Sequence, residues 1–299
     1  MPKFFMMVGL PGSGKSYEAK RIAEKENAIV VSTDAIRAEL FGSEDVQTEG
    51  GKVFELARKR VKATLASDQN VIFDATNVSF KRRMSWTSEM RKLATEMIAV
   101  VMATPYAVCV ERQSLRDRKV EKDVIRRMYR GFFVPYYFEG WDEIRLMYPE
   151  NISEYETRIA DGLLNGSSSL FDFDQKNPHH KGSLGEHMLW CFEYSAYKTG
   201  DRVLKDAALL HDIGKVRTQT FDDNGVAHYY GHHCVSGYES LFECCCSDED
   251  KLLRAFYVQN HMEPYFWKEE KTKEKYRKLW GEKLYNDIQT LHTCDKMAH

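Results

Sequence analysis

The sequence predicts an α/β domain, in which helices cover both faces of a parallel sheet, followed by an all-α domain. Short apolar segments alternate with helical patterns over the first 150 residues, as they do in βαβ units. Later segments are nearly all helical. The chain has 299 residues, enough for two domains of ordinary size. We expect these domains to occupy residues 1–155 and 156–299.

Composition excludes several classes of protein. Apolar residues make up 43% of the chain and charged residues 29%, which is typical of globular proteins and not of disordered ones. No apolar run reaches the ~18 residues of a membrane span, and the N-terminus lacks a signal-peptide cleavage site. The seven cysteines include no CxxC pair. We therefore expect free thiols and a cytoplasmic protein without membrane contact.

Charge differs between the two halves of the chain. Residues 1–150 carry 25 Lys and Arg against 21 Asp and Glu, whereas residues 151–299 carry 18 against 24. The basic first half suits ligands rich in phosphate. The acidic second half contains all 10 histidines, which favours metal binding there.

Apolar runs and helical spacing predict the elements of the first half. The predicted strands are Lys3–Val8, Ala28–Ser32, Asn70–Asp74 and Met97–Ala103. The predicted helices are Ser16–Asn27, Asp34–Phe41, Val53–Ser67, Lys81–Thr95 and Val108–Arg130.

The second half begins with a segment rich in Gly, Ser and Asn, Gly162–Pro178, which we interpret as a linker or long loop. The Asp223-Asn224-Gly225 sequence predicts a hairpin turn. The predicted helices are Leu184–Tyr197, Arg202–His211, Val235–Cys246, Lys251–Gln259, Glu270–Leu279 and Lys283–Lys296.

The segment Gly9–Ser16, GLPGSGKS, fits the phosphate-binding pattern GxxxxGK[ST] between a predicted strand and a predicted helix. Backbone N–H groups at Gly12, Ser13 and Gly14 are expected to surround the phosphates of ATP or another nucleoside triphosphate. Lys15 is expected to contact the β- and γ-phosphates, and Ser16 to bind Mg²⁺.

Three further polar residues follow predicted strands near this loop. Asp34 and Arg37 are three residues apart, so they share one helix face. Asp34 is a candidate general base for an acceptor hydroxyl, and Arg37 a candidate ligand for an acceptor phosphate. Helix capping with an ordinary ion pair is the alternative. Asp74 either holds Mg²⁺ through water or belongs to a polar turn.

Residues 81–130 carry 13 Lys and Arg against 6 Asp and Glu. Arg116, Arg118 and Arg126 are candidates for a lid that closes over the triphosphate and stabilises the transferring phosphoryl group. The alternative interpretation is a solvated basic face.

Together, GLPGSGKS, the Asp34 and Arg37 pair, VIFDATN and the arginine-rich segment resemble the P-loop kinases of the polynucleotide 5′-kinase type. The resemblance covers residues 1–150. It implies that Lys15 and Ser16 bind ATP and Mg²⁺, that Asp34 deprotonates a 5′-hydroxyl, and that Arg37 holds a 3′-phosphate. Arg126 would contact the ATP phosphates. Small-metabolite kinases share much of this pattern.

Imidazole and carboxylate groups recur along the helices of the second half. The candidate metal ligands are His187, His211, Asp212, His232, His261 and Asp295. Such groups suit one or two divalent transition metals of the Mn, Ni, Co and Fe class, which activate water and clamp a phosphate. The alternative is that individual histidines cap helices or belong to the core. We prefer this interpretation for His179, His180, His228, His292 and His299.

This set resembles the metal-dependent phosphohydrolases of the HD superfamily. The resemblance implies that His187, His211, Asp212 and Asp295 hold a first metal. His232 and His261 match positions that hold a second metal in dinuclear members, and Lys215 would lie near the substrate phosphate. Members usually continue the last helix beyond the four residues that follow Asp295 here.

A kinase half beside a phosphohydrolase half suggests the healing of broken nucleic-acid ends, of RNA rather than DNA. One half would phosphorylate a 5′-OH, and the other would remove 2′,3′-cyclic, 2′ or 3′ phosphates, before a separate ligase seals the ends. One alternative is a nucleoside, nucleotide or metabolite kinase fused to a nucleotide phosphohydrolase. Another is a nucleotide sensor without turnover.

Overall fold

A computed structural model describes residues 2–46, 48–116, 119–178, 182–243 and 246–299. The chain divides into two compact units. Unit 1 comprises residues 1–128 and 135–150, and unit 2 comprises residues 129–134 and 151–299. The predicted boundary at residue 155 therefore lies inside unit 2, and a short segment of the first half also belongs to that unit.

Unit 1 is built on a five-stranded parallel sheet with the order β2-β3-β1-β4-β5. Its strands are β1 (Lys3–Val8), β2 (Ala28–Ser32), β3 (Asn70–Asp74), β4 (Glu96–Met102) and β5 (Glu143–Met147). The central strand β1 is buried almost throughout because it lies between β3 and β4. The predicted α/β architecture is confirmed.

Helices α1 to α6 complete unit 1, except that the last two residues of α6 belong to unit 2. They are α1 (Lys15–Glu26), α2 (Thr33–Phe41), α3 (Gly50–Ala66), α4 (Phe80–Met90), α5 (Tyr106–Ser114) and α6 (Lys122–Arg130). The single helix predicted over Val108–Arg130 is wrong, because the chain leaves the helix after Ser114. The buried side chain of Gln113 instead accepts a hydrogen bond from the backbone N–H of Val120.

Strand β5 was not among the strands predicted from the sequence. Its buried residues, Ile144 and Leu146, alternate with partly exposed ones, as expected at the edge of a sheet. The four other strands were recognised as continuous apolar runs, and β5 does not have one.

A fully buried ion pair joins α4 to the turn before β5. Arg83 donates to both carboxylate oxygens of Glu139 at 2.6 Å, and its third nitrogen donates to the backbone oxygen of Asn77 at 2.8 Å. The indole N–H of Trp141 also donates to Glu139. This network satisfies two charges that would otherwise be costly to bury.

Unit 2 is mainly helical. Its helices are α7 (Ile159–Leu164), α8 (Leu184–Lys198), α9 (Arg202–Leu210), α10 (Lys215–Thr218), α11 (His232–Glu239), α12 (Asp248–Asn260), α13 (Glu270–Trp280) and α14 (Glu282–Met297). Helix α8 begins with a capping box between Ser183 and Glu186. In the described parts of the chain, no helix has the length and apolarity needed to span a membrane.

Three expectations for this unit need correction. The unit is not strictly all-α, because β6 (Thr220–Phe221) and β7 (Ala227–His228) form the antiparallel hairpin predicted from the Asp-Asn-Gly turn. The predicted linker begins inside α7, where Leu163 is buried in a cluster with Leu184 and Met188. The helix predicted over Val235–Cys246 ends at Glu239, and Cys244 and Cys245 lie outside the described residues.

Candidate functional sites

The loop between β1 and α1 folds as a tight phosphate cradle. Gly12 and Gly14 both have positive φ, 84° and 95°, a conformation that glycine adopts at little cost. A Cβ atom at Gly12 would also lie 2.4 Å from the backbone oxygen of Cys109. The loop is fixed at its other side by Thr104, whose hydroxyl donates to the backbone oxygen of Ser13 at 2.9 Å.

The predicted phosphate and Mg²⁺ residues meet at the start of α1. The Ser16 hydroxyl donates to Asp74 Oδ2 at 2.7 Å, and the Lys15 ammonium donates to the backbone oxygen of Leu10 at 2.7 Å. Burial lowers the pKa of Lys15, and the charge of Asp74 opposes this effect. Burial raises the pKa of Asp74, and the hydrogen bond from Ser16 partly offsets this by lowering it. Ser16 and Asp74 are the oxygen donors here that could hold Mg²⁺.

Asp34 and Arg37 lie at the N-terminal end of α2, in the same unit. Arg37 donates to Asp34 Oδ1 at 2.7 Å. The two side chains therefore lie on one helix face, as predicted, and they also form the ion pair of the alternative interpretation. Half of the Asp34 side chain is exposed, and its charge acts on both Lys15 and Asp74. Arg37 is 11% exposed, and its Nε atom has no hydrogen-bond partner among the described residues.

The candidate lid arginines differ in their surroundings. Arg116 is exposed, and its charge lowers the pKa of Lys15. Arg126 is exposed on α6, where it forms an ion pair with Asp123 at 3.0 Å. Arg118 lies outside the described residues. Arg112, from the same arginine-rich segment, has its Nη1 3.9 Å from the position that a Cβ atom would occupy at Gly14.

In unit 2, four of the predicted ligands converge from the N-terminal part of α8, the end of α9 and the end of α14. His187 Nε2 lies 3.1 Å from His211 Nε2, 3.4 Å from Asp212 Oδ2 and 3.2 Å from Asp295 Oδ1. His211 Nε2 lies 3.3 Å from Asp212 Oδ2 and 3.5 Å from Asp295 Oδ1. All four side chains are buried.

The remaining two predicted ligands lie on the other side of Asp212. His232 Nε2 and His261 Nε2 are 3.4 Å apart, and they lie 3.2 Å and 3.7 Å from Asp212 Oδ1. Asp212 therefore presents one carboxylate oxygen to each histidine pair. A carboxylate placed in this way could hold a cation on each of its oxygens.

Backbone carbonyl groups orient all four imidazole rings. His211, His232 and His261 each direct Nδ1 at the carbonyl oxygen three residues earlier, at 2.8, 2.8 and 2.6 Å. His187 directs Nδ1 at the carbonyl oxygen of Ala298 at 3.3 Å. A ring that donates its Nδ1 proton in this way keeps the Nε2 lone pair for a metal. All four Nε2 atoms point into the cluster.

The residues present fit a pair of metal ions. With ligand bonds of about 2.1 Å, neighbouring ligand atoms lie about 3.0 Å apart on an octahedron and about 3.4 Å apart on a tetrahedron. The distance between His187 Nε2 and His211 Nε2, and those from each of them to Asp212 Oδ2 and Asp295 Oδ1, fall between 3.1 and 3.5 Å. Asp212 Oδ1 is buried and accepts no hydrogen bond from the described residues. A carboxylate oxygen that binds a cation is expected to lack such a donor.

Electrostatic effects in the cluster follow from burial beside carboxylates. Burial lowers the pKa of His187, but hydrogen bonds with Asp212 and Asp295 outweigh it and raise the pKa above its usual value. The pKa of His211 is raised for similar reasons. Burial and the charge of His211 lower the pKa of His261. Protons therefore compete with a cation for the Nε2 atoms of His187 and His211.

Lys215, expected near a substrate phosphate, is buried against Asp212. Its ammonium lies 2.7 Å from Asp212 Oδ2 and donates to Gln175 Oε1 at 2.8 Å. Burial alone would raise the pKa of Asp212, but the charge of Lys215, followed by that of His211, brings it well below the usual value. The structure thus makes Lys215 a counter-ion of the shared carboxylate.

Two neighbours of the cluster were not recognised from the sequence. The hydroxyl of Tyr265 donates to Asp295 Oδ2 at 3.2 Å. His299 Nε2 lies 3.6 Å from Asp295 Oδ1. The four-residue spacing from Asp295 to His299 is the signal that could have identified the histidine. Nothing in the sequence around Tyr265 distinguishes it from a core tyrosine.

Comparison with known proteins places the first unit in a broad class. A family model described as an AAA domain matches residues 4–135. An L-seryl-tRNA(Sec) kinase from Methanococcus maripaludis is 28% identical over 144 residues, which cover 46% of this chain and 55% of that protein. The chain thus spans about half the length of this curated relative.

Solved structures give weaker likenesses. A chain in a structure of the Pnkp1/Rnl/Hen1 RNA repair complex is 26% identical, with 42% of each chain covered and a TM-score of 0.40. The shikimate kinase from Acinetobacter baumannii is 16% identical, with 56% of this chain and 96% of that chain covered and a TM-score of 0.36. The family match, the sheet and the phosphate loop together define unit 1 as a P-loop domain of the kinase type.

Proposed function

We propose that unit 1 transfers the γ-phosphoryl group of ATP to the 5′-hydroxyl of a polynucleotide. The observation that carries this proposal is the position of Asp34, whose half-exposed carboxylate lies close enough to influence Lys15 and Asp74. Asp34 accepts the proton of the attacking hydroxyl. The new O–P bond then forms as the bond between the γ-phosphorus and the bridging oxygen of ATP breaks.

The other residues of the cradle have supporting roles in this proposal. The loop N–H groups and Lys15 hold the triphosphate, and Ser16 with Asp74 would hold Mg²⁺, which neutralises charge on the phosphates. Arg116 and Arg126 contribute further positive charge, and Arg118 stays a prediction. Arg37 keeps Asp34 oriented, and its unpartnered Nε is a donor for a phosphate of the acceptor strand.

A nucleic-acid acceptor is supported by the similarity to the L-seryl-tRNA(Sec) kinase of Methanococcus maripaludis. The test offers ATP with a 5′-OH RNA, a 5′-OH DNA, a seryl-tRNA and a nucleoside 3′-monophosphate, one at a time. We expect labelling of the RNA 5′ end. Labelling of the mononucleotide alone would replace this proposal with a small-metabolite kinase, and labelling of seryl-tRNA alone would move the acceptor to an aminoacyl group.

Variants on helix α2 check the role of Asp34. Asp34→Asn should reduce phosphoryl transfer by about 10²- to 10⁴-fold, the usual contribution of a general base, without weakening ATP binding. Glu39→Gln is a matched control, because Glu39 lies on the same helix and pairs with Arg60 at the surface. Equal activity of the Asp34→Asn variant and the control would contradict the role of Asp34.

We propose that unit 2 is a phosphohydrolase that uses two divalent metals of the Mn, Ni, Co and Fe class. The shared carboxylate of Asp212 carries this proposal, because each of its oxygens faces a different histidine pair. His187, His211 and Asp295 would complete the first metal position, and His232 and His261 the second. Bound metals would supply an activated water and charge for attack on a phosphoester.

The preferred substrates are 2′,3′-cyclic phosphate and 2′- or 3′-phosphate ends of RNA. The test measures phosphate release and ring opening on oligonucleotides with these ends, with Mn²⁺, Ni²⁺ or Co²⁺ added. His261→Gln should abolish turnover, whereas His228→Ala, in the exposed hairpin, should not. Turnover of nucleoside monophosphates with oligonucleotides left intact would favour a nucleotide phosphohydrolase instead.

Together the two activities amount to healing of broken RNA ends, with sealing left to a separate ligase. In this proposal the protein works in the cytoplasm, and unit 1 prepares the 5′ end while unit 2 prepares the 3′ end. The two units use different residues and different metals, so each activity should survive loss of the other.

A further inference from the structure

We infer that His299 is an additional ligand of the first metal position, beside His187, His211, Asp212 and Asp295. This inference rests on the proposed two-metal site. It makes the pair of metal positions unequal: the first has five protein ligands, three of them nitrogens, and the second has the three ligands Asp212, His232 and His261.

The Oδ1 atom of Asp295 is the reference point for this inference. Three imidazole nitrogens surround it: His187 Nε2 at 3.2 Å, His211 Nε2 at 3.5 Å and His299 Nε2 at 3.6 Å. The other oxygen, Oδ2, accepts the hydrogen bond from Tyr265. Asp295 therefore keeps Oδ1 directed at the three histidines, at separations expected for atoms bound to one cation.

The backbone also holds His299 at this point. Ala298 N–H donates to the carbonyl oxygens of Cys294 and Asp295, which continues the turn at the end of α14. The carbonyl oxygen of Ala298 in turn faces His187 Nδ1 at 3.3 Å. The rings of His187 and His299 have centroids 4.9 Å apart. His187, Asp295 and His299 each offer a ligand atom within 4.8 Å of the other two.

Five protein ligands leave an octahedral ion one open coordination position, whereas three ligands leave the second ion several. The nitrogen-rich first position should favour later first-row metals and bind its ion more tightly. The second position has the open coordination that a substrate phosphate needs. The first metal is therefore the retained one, and substrate enters mainly at the second.

The test is a titration of the full-length, metal-stripped protein with Mn²⁺, followed by electron paramagnetic resonance of the free ion. Any purification tag belongs at the N-terminus, so that no added histidine lies near His299. We expect one tight and one weak site per chain. His299→Ala should weaken the tight site by at least about 10-fold, the lower end of the loss caused by removing even an outer-shell partner.

Two variants serve as comparisons. His261→Gln should abolish the weak site and leave the tight one, and His228→Ala should change neither. Pulsed resonance of the singly loaded protein should count one fewer coordinated nitrogen in His299→Ala than in the unchanged chain.

Unchanged tight binding and an unchanged nitrogen count in His299→Ala would overturn the inference. So would weakening confined to the weak site. These readouts do not depend on turnover. A protein that binds two ions as described but hydrolyses no phosphoester would contradict the proposed function of unit 2 and leave the assignment of His299 standing.

Discussion

Replacement of Asp212 by asparagine should destabilise unit 2 strongly in the absence of metal. The Asp212 carboxylate is buried, and Lys215, also buried, lies 2.7 Å from it. The neutral amide of the Asp212→Asn variant would leave the ammonium without its counter-charge, and breaking a buried pair in this way costs about 3–5 kcal/mol. Removing the lysine charge as well, in Asp212→Asn with Lys215→Met, should recover most of that loss.

The assay is native-state hydrogen exchange of peptides from α8 and α9, which reports the free energy of opening of unit 2 itself. Asp206→Asn is the matched control, since Asp206 lies on α9 with a partly exposed side chain and pairs with Arg202. Neither Asp212 variant should bind metal tightly. Equal stability of Asp212→Asn and Asp206→Asn, or an unrecovered double variant, would refute the reasoning.

Three further predictions follow from the same structure. Lys15→Ala should weaken ATP binding, measured by calorimetry, and leave phosphoester hydrolysis unchanged; loss of hydrolysis would contradict it. Glu139→Gln should lower the free energy of unfolding of unit 1 by about 3–5 kcal/mol, measured by denaturant titration, because Arg83 would stay buried without a counter-charge. Metal binding should weaken as the pH falls through the raised pKa of His187, since burial lowers this pKa but the bonds with Asp212 and Asp295 raise it more. Calorimetry in buffers of different ionisation enthalpy should detect the released protons, and pH-independent affinity would contradict this.

Local sequence patterns predicted the strands of unit 1 well where the apolar run is continuous. Strands β1, β2 and β3 have the predicted bounds because their apolar runs end at polar or glycine residues. Strand β5 was missed because polar and apolar residues alternate in it, whereas β2, at the other edge of the sheet, has a continuous apolar run. The break between α5 and α6 depends on a side-chain contact of Gln113, which no local pattern encodes.

In the two candidate sites too, local patterns predicted the residues with a characteristic spacing but not the contacts between residues distant in sequence. The phosphate loop has a fixed spacing, so its residues could be chosen from the sequence, and the histidines on α8 and α9 followed from the resemblance. Lys215 and Asp212 have the i,i+3 spacing of a local ion pair, but the hydrogen bond from Lys215 to Gln175, 40 residues away, could not be predicted from local sequence. The position of His299 depends on how the end of α14 meets His187.

The most direct test uses one RNA oligonucleotide with a 5′-OH and a 2′,3′-cyclic phosphate, incubated with ATP, Mg²⁺ and Mn²⁺ and analysed by mass spectrometry. The unchanged protein should phosphorylate the 5′ end and process the 3′ end of the same molecule. Asp34→Asn should process only the 3′ end, and His211→Gln should phosphorylate only the 5′ end. A single variant that abolishes both reactions, or an oligonucleotide that the unchanged protein leaves intact, would contradict the account.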